Sequence, residues 1–188
     1  MIRAAFAWMK LRAVTLLVLG RNGAALKIFT AMLARWPDDV YALASRAHVL
    51  TQEQQLSAAL IDSSRLVSLR PEHAPTWFNH GFILEAAGRT EEALHAFQKA
   101  TLLDGTIDRA WYGQGLALIQ LKRYDEAVSA LQRNTELQPM SPFAWYQLAR
   151  IHVDRHQPNK AVRIIKHLKG FEPKVAAQLE RETGLQVP

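Results

Sequence analysis

Residues 74–107 read APTWFNHGFILEAAGRTEEALHAFQKATLLDGTI, and residues 108–141 read DRAWYGQGLALIQLKRYDEAVSALQRNTELQPMS. Both stretches place tryptophan fourth, glycine eighth and alanine twentieth. Outward from them, a third tryptophan follows at Trp145. The alanine recurs at the same spacing along the whole chain, at Ala25, Ala59, Ala93, Ala127 and Ala161. Such regular self-similarity indicates a repeat protein.

The repeat is 34 residues long and shows no insertion over most of the chain. Prolines keep the same interval at Pro37, Pro71, Pro139 and Pro173, and Gly105 occupies the remaining place. The frames are therefore 6–39, 40–73, 74–107, 108–141 and 142–175.

Each frame predicts a pair of amphipathic helices, because apolar residues recur at three- and four-residue steps in two blocks. Gly20, Gly88 and the polar run 122–124 lie between the blocks. Proline ends the second block because it has no N–H for a helical hydrogen bond. Small residues at the eighth position let neighbouring helices approach closely. These are Ala13, Ala47, Gly81, Gly115 and Ala149.

This pattern resembles the tetratricopeptide repeat family, over about 170 of the 188 residues. The resemblance implies an all-α fold, a right-handed α-solenoid of antiparallel helix pairs, as one solenoid domain over 1–188. Residues 176–188 are expected to form a capping helix, closed by Gly184, and a tail. The chain departs from the family pattern at Met9, Leu43, Ser63, Gly105 and Asn134.

The resemblance further implies a non-enzymatic scaffold that binds a peptide or helix of a partner protein on its concave face. In such a solenoid the first helix of each repeat lines that face with its second, fifth, sixth, ninth and twelfth residues. The predicted partner-binding residues at these places are Tyr41, His48, Phe78, Asn79, Phe82, Arg109, Tyr112, Leu116, Phe143, Tyr146, Gln147 and Arg150. Aromatic and arginine side chains concentrate binding energy at interfaces. The alternative is that some of these rings only pack against the neighbouring helix.

One subgroup of the family binds the terminal carboxylate of chaperone tails through lysine, two asparagines, lysine and arginine. The corresponding places here hold Ala44, His48, Asn79, Arg109 and Gly113. Only Asn79 and Arg109 suit that role. A chaperone-tail clamp is therefore not expected.

The first predicted helix is apolar on all sides, although the first helix of a solenoid usually has a polar outer face. A second docking surface is predicted at Lys10, Leu11, Val14, Leu17 and Val18. Its partner would be another protein, a second copy of the chain or an anionic membrane surface. Packing against its own second helix explains part of the apolar character.

The net charge of the chain is +6, and it is unevenly distributed along the sequence. Residues 1–37 carry six basic and no acidic side chains, residues 38–149 carry nine and thirteen, and residues 150–188 carry eight and four. This pattern favours an acidic partner or membrane at one end and not the continuous basic stripe of a nucleic-acid-binding protein. The apolar run 13–19 is too short for a spanning helix and a poor signal peptide, so the expected location is the cytoplasm or the inner face of a membrane.

Catalytic and metal-binding motifs are not evident in the sequence. There are no cysteines, no phosphate-binding glycine loop and no nucleophile elbow. His152 and His156 have a chelating spacing but lack a third ligand, and the acidic pairs at 91–92 and 125–126 suit helix N-termini. We therefore expect no catalytic residue, metal or cofactor.

A basic cluster lies on the last repeat and consists of Lys160, Arg163, Lys166, His167 and Lys169. It is either a solvated face or a docking site for an acidic partner.

Overall fold

The computed structural model describes the backbone of residues 2–187 and the side chains of residues 4–187. Over these residues the chain forms α-helices and turns, with no β-strand. The helices are α1 (Ile2–Val18), α2 (Asn22–Arg35), α3 (Val40–Gln52), α4 (Leu56–Leu69), α5 (Ala74–Ala86), α6 (Thr90–Leu103), α7 (Asp108–Gln120), α8 (Tyr124–Leu137), α9 (Pro142–Asp154), α10 (Pro158–Lys169) and α11 (Pro173–Thr183). None of these described helices has the length and apolar character needed to cross a membrane.

The helices follow the predicted frames in pairs, from α1 and α2 in the first frame to α9 and α10 in the fifth. Helix α1 starts at Ile2, before its frame. Helix α11 begins at Pro173, three residues before the predicted cap, and ends at Gly184, whose φ of 71° is left-handed. A glycine adopts that conformation without steric cost, which explains the helix end.

The chain forms two compact units, Met1–Arg89 and Thr90–Pro188. Unit 1 contains α1–α5 and unit 2 contains α6–α11, so the boundary falls inside the third frame. Within each unit every helix packs against the next one in the chain, and α9 also packs against α11. The core of unit 1 centres on Phe29 and Met32, and that of unit 2 on Leu118, Leu131 and Ile165.

The turn inside every repeat has the same backbone geometry. Its central residue has a positive φ in each frame, at Gly20, Gln54, Gly88, Lys122 and His156. The residue after it donates its N–H to a carbonyl five residues earlier, as from Arg21 to Leu16 (2.8 Å) and from Arg123 to Leu118 (2.9 Å). These hydrogen bonds define the Schellman motif, which satisfies the last carbonyls of the first helix.

Each tryptophan of the series ties its helix to the preceding turn. The indole N–H of Trp77 donates to the carbonyl of Pro71 (2.7 Å), that of Trp111 to Gly105 (2.9 Å) and that of Trp145 to Pro139 (2.9 Å). The acceptor is a carbonyl oxygen, so proline and glycine serve equally well. The bond links each of these tryptophans to the residue six positions earlier, whichever residue supplies the carbonyl.

An ion pair between a partly exposed arginine and a buried aspartate joins α3 to α4 in unit 1. The Arg46 guanidinium donates to both carboxylate oxygens of Asp62, Nε to Oδ2 at 2.8 Å and a terminal nitrogen to Oδ1 at 2.7 Å. Asp62 is only 1% exposed. The hydrogen bond to Asp62 raises the pKa of Arg46 above its ordinary value. Two parallel charge-assisted bonds of this kind fix the relative position of the two helices.

Candidate functional site

Unit 1 contains a cavity of about 220 Å³ that opens between α3, α4 and α5. Three of the predicted binding residues line it, namely His48, Asn79 and Phe82. The other lining residues are Val40, Ala44, Ala47, Thr51, Ser63, Leu66, Arg70, His73, Pro75, Thr76 and Ile83. Three buried apolar side chains line its interior, those of Ala47, Leu66 and Ile83. Three polar side chains are exposed, those of His48, Asn79 and Arg70. The cavity therefore combines an apolar interior with polar groups at its edge.

Ser63 accounts for the free space in this cavity. It occupies the repeat position where the other frames bury Phe29, Phe97, Leu131 and Ile165. In unit 2 the ring of Phe97 lies so close to Gly113 that an added Cβ would be 2.7–2.9 Å from its carbon atoms. The equivalent pair in unit 1 is Ser63 and Asn79, both of which line the cavity. The small serine thus leaves volume that a bulky residue fills elsewhere.

The hydroxyl of Ser63 is hydrogen-bonded although the side chain is buried. It lies 2.8 Å from His80 Nδ1 and donates or accepts there according to the histidine tautomer, and it lies 3.2 Å from the carbonyl of Leu60. Likewise, His73 Nδ1 lies 2.8 Å from the hydroxyl of Thr76. These hydrogen bonds satisfy the side-chain polar groups of Ser63, His73 and Thr76 at the cavity wall.

Unit 2 brings four predicted residues around a second, shallower pocket. Tyr112, Phe143, Tyr146 and Gln147 line it, together with Val175 and Gln178 of α11 and Pro142. The rings of Tyr112 and Phe143 meet edge to face, 6.4 Å apart, yet Phe143 remains 66% exposed. The hydroxyl of Tyr146 donates to Glu182 (2.5 Å), also on α11. Sequence reasoning missed α11 as a wall because a single repeat frame does not include it.

The other predicted residues lie apart from these two pockets. Tyr41 packs on the unit 1 core, where its ring meets Phe29 edge to face. Phe78 and Leu116 are half-buried, and Arg109 is exposed. Arg150 lies against the ring of Tyr146 and lines a neighbouring polar pocket with Glu182. The alternative of rings that mainly pack on their neighbours therefore fits Tyr41 best.

The predicted docking surface on α1 divides between two faces of the helix. Leu11, Val14 and Val18 are exposed, with exposed Lys10 beside them. Leu17 instead packs on the unit 1 core, because it lies on the side of the helix that faces α2. The structure adds Trp8 and Leu19 to the exposed face. The signal for Trp8 was its position three residues before Leu11, one helical turn away.

The candidate metal ligands have separate surroundings. His152 is buried, its Nδ1 lies 3.0 Å from the amide oxygen of Gln157, and burial lowers its pKa. His156 is exposed at the turn that follows α9. Within residues 2–187 as the structure describes them, no three His, Asp or Glu side chains form a group that could hold a metal ion.

The charged clusters noted in the sequence lie mostly in exposed positions. Asp125 forms an ion pair with Arg155 (2.6 Å) and Glu126 forms one with Arg123 (2.6 Å). In the basic cluster, Lys169 is bound internally, to Glu180 (2.9 Å) and to the carbonyl of Val187. The exposed members of that cluster are Lys160, Arg163, Lys166 and His167.

Successive helix pairs with one turn geometry define the class of helical-repeat proteins. Comparison with known proteins identifies the family. The tetratricopeptide repeat model matches residues 10–74 and 78–142, more than half of the chain, so the protein belongs to the tetratricopeptide repeat (TPR) family. Members of this family are interaction scaffolds that bind protein or peptide partners and are generally not enzymes. No curated protein matches the sequence significantly.

Solved structures of TPR proteins have the same fold. MamA superposes with a TM-score of 0.85 at 18% identity, covering 100% of both chains. A TPR protein from Parabacteroides merdae gives 0.85 at 19% identity, covering 96% of this chain and 74% of the other. YrrB, a TPR protein with an unusual peptide-binding site, gives 0.78 at 19% identity, covering 90% and 88%. The predicted α-solenoid class is therefore confirmed.

Proposed function

We propose that this protein is an adaptor that binds a segment of a partner protein, and that an apolar side chain of that segment inserts into the cavity beside Ser63. The observation that carries the proposal is the cavity itself. It is lined by His48, Asn79 and Phe82, three of the residues that the family resemblance implies for the binding face.

The size and lining of the cavity favour a single side chain over a cofactor. Sites for small molecules usually enclose roughly 300–1,000 Å³, more than the volume of about 220 Å³ found here. Its apolar interior suits leucine, methionine or phenylalanine, since their burial supplies most of the binding free energy. At the edge, the Asn79 amide can donate to and accept from a peptide backbone.

Aromatic side chains supply further contact area. The side chain of Phe82, beside the cavity, is 50% exposed, and that of Phe143, beside the unit 2 pocket, is 66% exposed. Aromatic anchors of this kind often dominate the energetics of interfaces. YrrB, which shares the fold, is a TPR protein with a peptide-binding site, and this supports a peptide as the ligand class. The cytoplasm is the compartment we assign to this adaptor.

Selection from a peptide display library, followed by fluorescence anisotropy, tests the proposal. We expect selected peptides to share one large apolar residue. Ser63→Leu fills the cavity, and Phe82→Ala removes an aromatic contact without disturbing the core. Each is expected to weaken binding by about 1–2 kcal/mol. Leu102→Ala is the matched control, since Leu102 is an exposed leucine of α6 that lines neither pocket.

Two results would contradict the proposal. One is a set of selected peptides without a common apolar residue. The other is an unchanged dissociation constant for both Ser63→Leu and Phe82→Ala, with thermal unfolding confirming that both variants are folded. A parallel test in unit 2 uses Tyr112→Ala, which should weaken only those peptides that contact the second pocket.

A further inference from the structure

Helix α1 has two apolar faces, and only one of them is covered. Phe6, Met9, Ala13, Leu16 and Leu17 pack into the unit 1 core. On the opposite side a row of large apolar side chains is exposed to solvent, which we call the α1 stripe: Trp8 (60%), Leu11 (66%), Val14, Val18 (81%) and Leu19. Isolated exposed apolar residues are ordinary, but a contiguous row of this size marks an interaction surface.

The hydroxyl of Thr15 within the α1 stripe is satisfied inside the helix. Thr15 is the polar residue between Leu11 and Val18, and its hydroxyl donates to the carbonyl of Leu11 (3.0 Å) within the helix. The stripe therefore presents side-chain carbon to whatever covers it. Its helical part, from Trp8 to Val18, spans about three turns, and Leu19 follows directly after the end of α1.

Cations border the α1 stripe on both sides. By helical geometry Lys10 and Arg12 lie on opposite flanks of the row through Leu11 and Val18. The Arg12 guanidinium lies 5.4 Å from the centre of the Trp8 ring, and the Lys10 ammonium lies 4.0 Å from that of Tyr41. These contacts hold both charges at the edges of the stripe. No acidic residue occurs anywhere in residues 1–37, against six basic ones.

This arrangement complements an anionic bilayer better than it complements a second copy of the chain. A bilayer surface places negative headgroups around an apolar interior, so one helix face can meet both at once. Tryptophan is also the residue most characteristic of that boundary. Pairing two α1 stripes would bring the cations of both copies together, with no carboxylate in α1 or α2 to offset them.

We propose that the α1 stripe docks the protein on an anionic lipid surface, with α1 lying parallel to the bilayer and Trp8, Leu11 and Val18 inserted below the headgroups. Lys10 and Arg12 remain at headgroup level and contact lipid phosphates. The α1 stripe shares no residue with the cavity beside Ser63, so the two binding events can be tested with different variants.

Flotation of the full chain with vesicles tests this proposal. We expect it to float with phosphatidylcholine vesicles containing about one third phosphatidylglycerol and to stay unbound with pure phosphatidylcholine. Raising NaCl from about 0.1 M to about 0.5 M should release it, because screening weakens headgroup contacts. Trp8 fluorescence should shift to shorter wavelength on binding, a change lost in Trp8→Phe.

Three variants distinguish the parts of the surface. Trp8→Ser with Leu11→Ser should weaken vesicle binding by about tenfold or more, because inserted apolar area is lost. Lys10→Gln with Arg12→Gln should remove the preference for phosphatidylglycerol. The matched control Ile61→Ser alters an exposed apolar residue of α4 and should bind as the natural chain does.

The proposal is overturned if the natural chain ignores anionic vesicles or if the α1 variants bind them unchanged. It is also overturned if light scattering shows a stable dimer that Trp8→Ser with Leu11→Ser converts to monomer, since the stripe would then serve a second copy. Because the altered side chains are exposed, the variants should keep the thermal unfolding midpoint of the natural chain. Peptide binding is measured on the same samples, so failure of the membrane proposal and failure of the peptide proposal remain distinguishable.

Discussion

At the scale of single residues, the turn within each repeat is formed by backbone hydrogen bonds and tolerates very different side chains. Glycine, glutamine, lysine and histidine all occupy the position with positive φ. The left-handed conformation costs about 1–2 kcal/mol for any residue with a Cβ. Three of the five turns therefore carry a local strain that the packing of the helices offsets.

Replacing Lys122 or Gln54 with glycine should stabilise the protein. The relief of steric strain exceeds the extra freedom of glycine in the unfolded chain, so we expect a gain of about 0.5–1 kcal/mol for each. Urea unfolding followed by circular dichroism measures it. The reciprocal change, Gly88→Ala, should cost a similar amount even though an added Cβ would meet no atom within 4 Å. If Lys122→Gly and the natural chain were equally stable, the turn at Lys122 would not be strained.

The ion pair formed by the buried Asp62 should contribute more to stability than an exposed ion pair. Asp62→Asn leaves the partly exposed Arg46 guanidinium without its carboxylate, and we expect a loss of about 1–2 kcal/mol in the free energy of unfolding. Asp38→Asn is the control, because Asp38 and Arg65 form an exposed pair at 2.6 Å. That change should cost less than about 0.5 kcal/mol. Similar losses in the two variants would show that burial does not decide the contribution.

Sequence reasoning succeeded at positions where one residue type has one structural use. Alanine at the twentieth position is fully buried in all five frames. It did not foresee positive φ at Gln54, Lys122 or His156, because only glycine signals that conformation reliably. It noted Ser63 as a departure but not the cavity, because free volume depends on several helices at once.

At the scale of helices, the contact between α7 and α8 depends on a missing side chain. A Cβ added at Gly115 would lie 2.7 Å from two carbon atoms of Leu131, which is fully buried. The eighth position was expected to be small for this reason, and the geometry supplies the distance. Asn134, another departure from the family pattern, is buried and donates to the carbonyl of Asp108 (2.7 Å), so it ties α8 to the start of α7.

Gly115→Ala should therefore destabilise the protein even though alanine favours helix. We expect a loss of about 1–3 kcal/mol, the usual cost of forcing extra volume into a packed contact. Gly23→Ala is the matched control in α2, where an added Cβ meets nothing within 4 Å. Its effect should be neutral or stabilising by up to about 1 kcal/mol. Thermal unfolding of both variants would decide, and a stabilised Gly115→Ala would contradict the packing argument.

The faces of α1 show why helix orientation was harder to predict than helix position. The helix is apolar all round, so periodicity could not separate core residues from exposed ones. Leu17 was assigned to the docking surface but packs on the core, while Trp8 and Leu19 are exposed. The neighbouring helices determine which face of a helix is buried. When both faces are apolar, the hydrophobic pattern of that helix alone does not show which one it is.

At the scale of the whole molecule, the fold consists of local contacts. Inside each unit, contacting helices are adjacent in the chain or separated by a single helix, as are α9 and α11, or α7 and α9 through Tyr112 and Phe143. This follows from a repeat without insertions, and it is why the fold could be predicted from sequence almost entirely. The partner could not, because it depends on the chemistry of a few exposed side chains.

Folding should be fast for this reason. Contacts between sequence neighbours require little loop closure, so we expect the main refolding phase to be faster than about 10² per second. Stopped-flow fluorescence of the tryptophans after dilution from urea measures it. A dominant phase slower than about 1 per second that prolyl isomerase does not accelerate would contradict the expectation.

Ser63 is a small residue at a repeat position that holds a bulky residue in the other four frames, and this difference has an evolutionary consequence. Replacing one buried side chain with a smaller one creates a cavity and leaves the backbone conformation unchanged. The hydrogen bonds of the turns and of the indole groups do not involve that residue. Paralogues of such an array can thus diverge in ligand preference by point mutation, with no change of architecture.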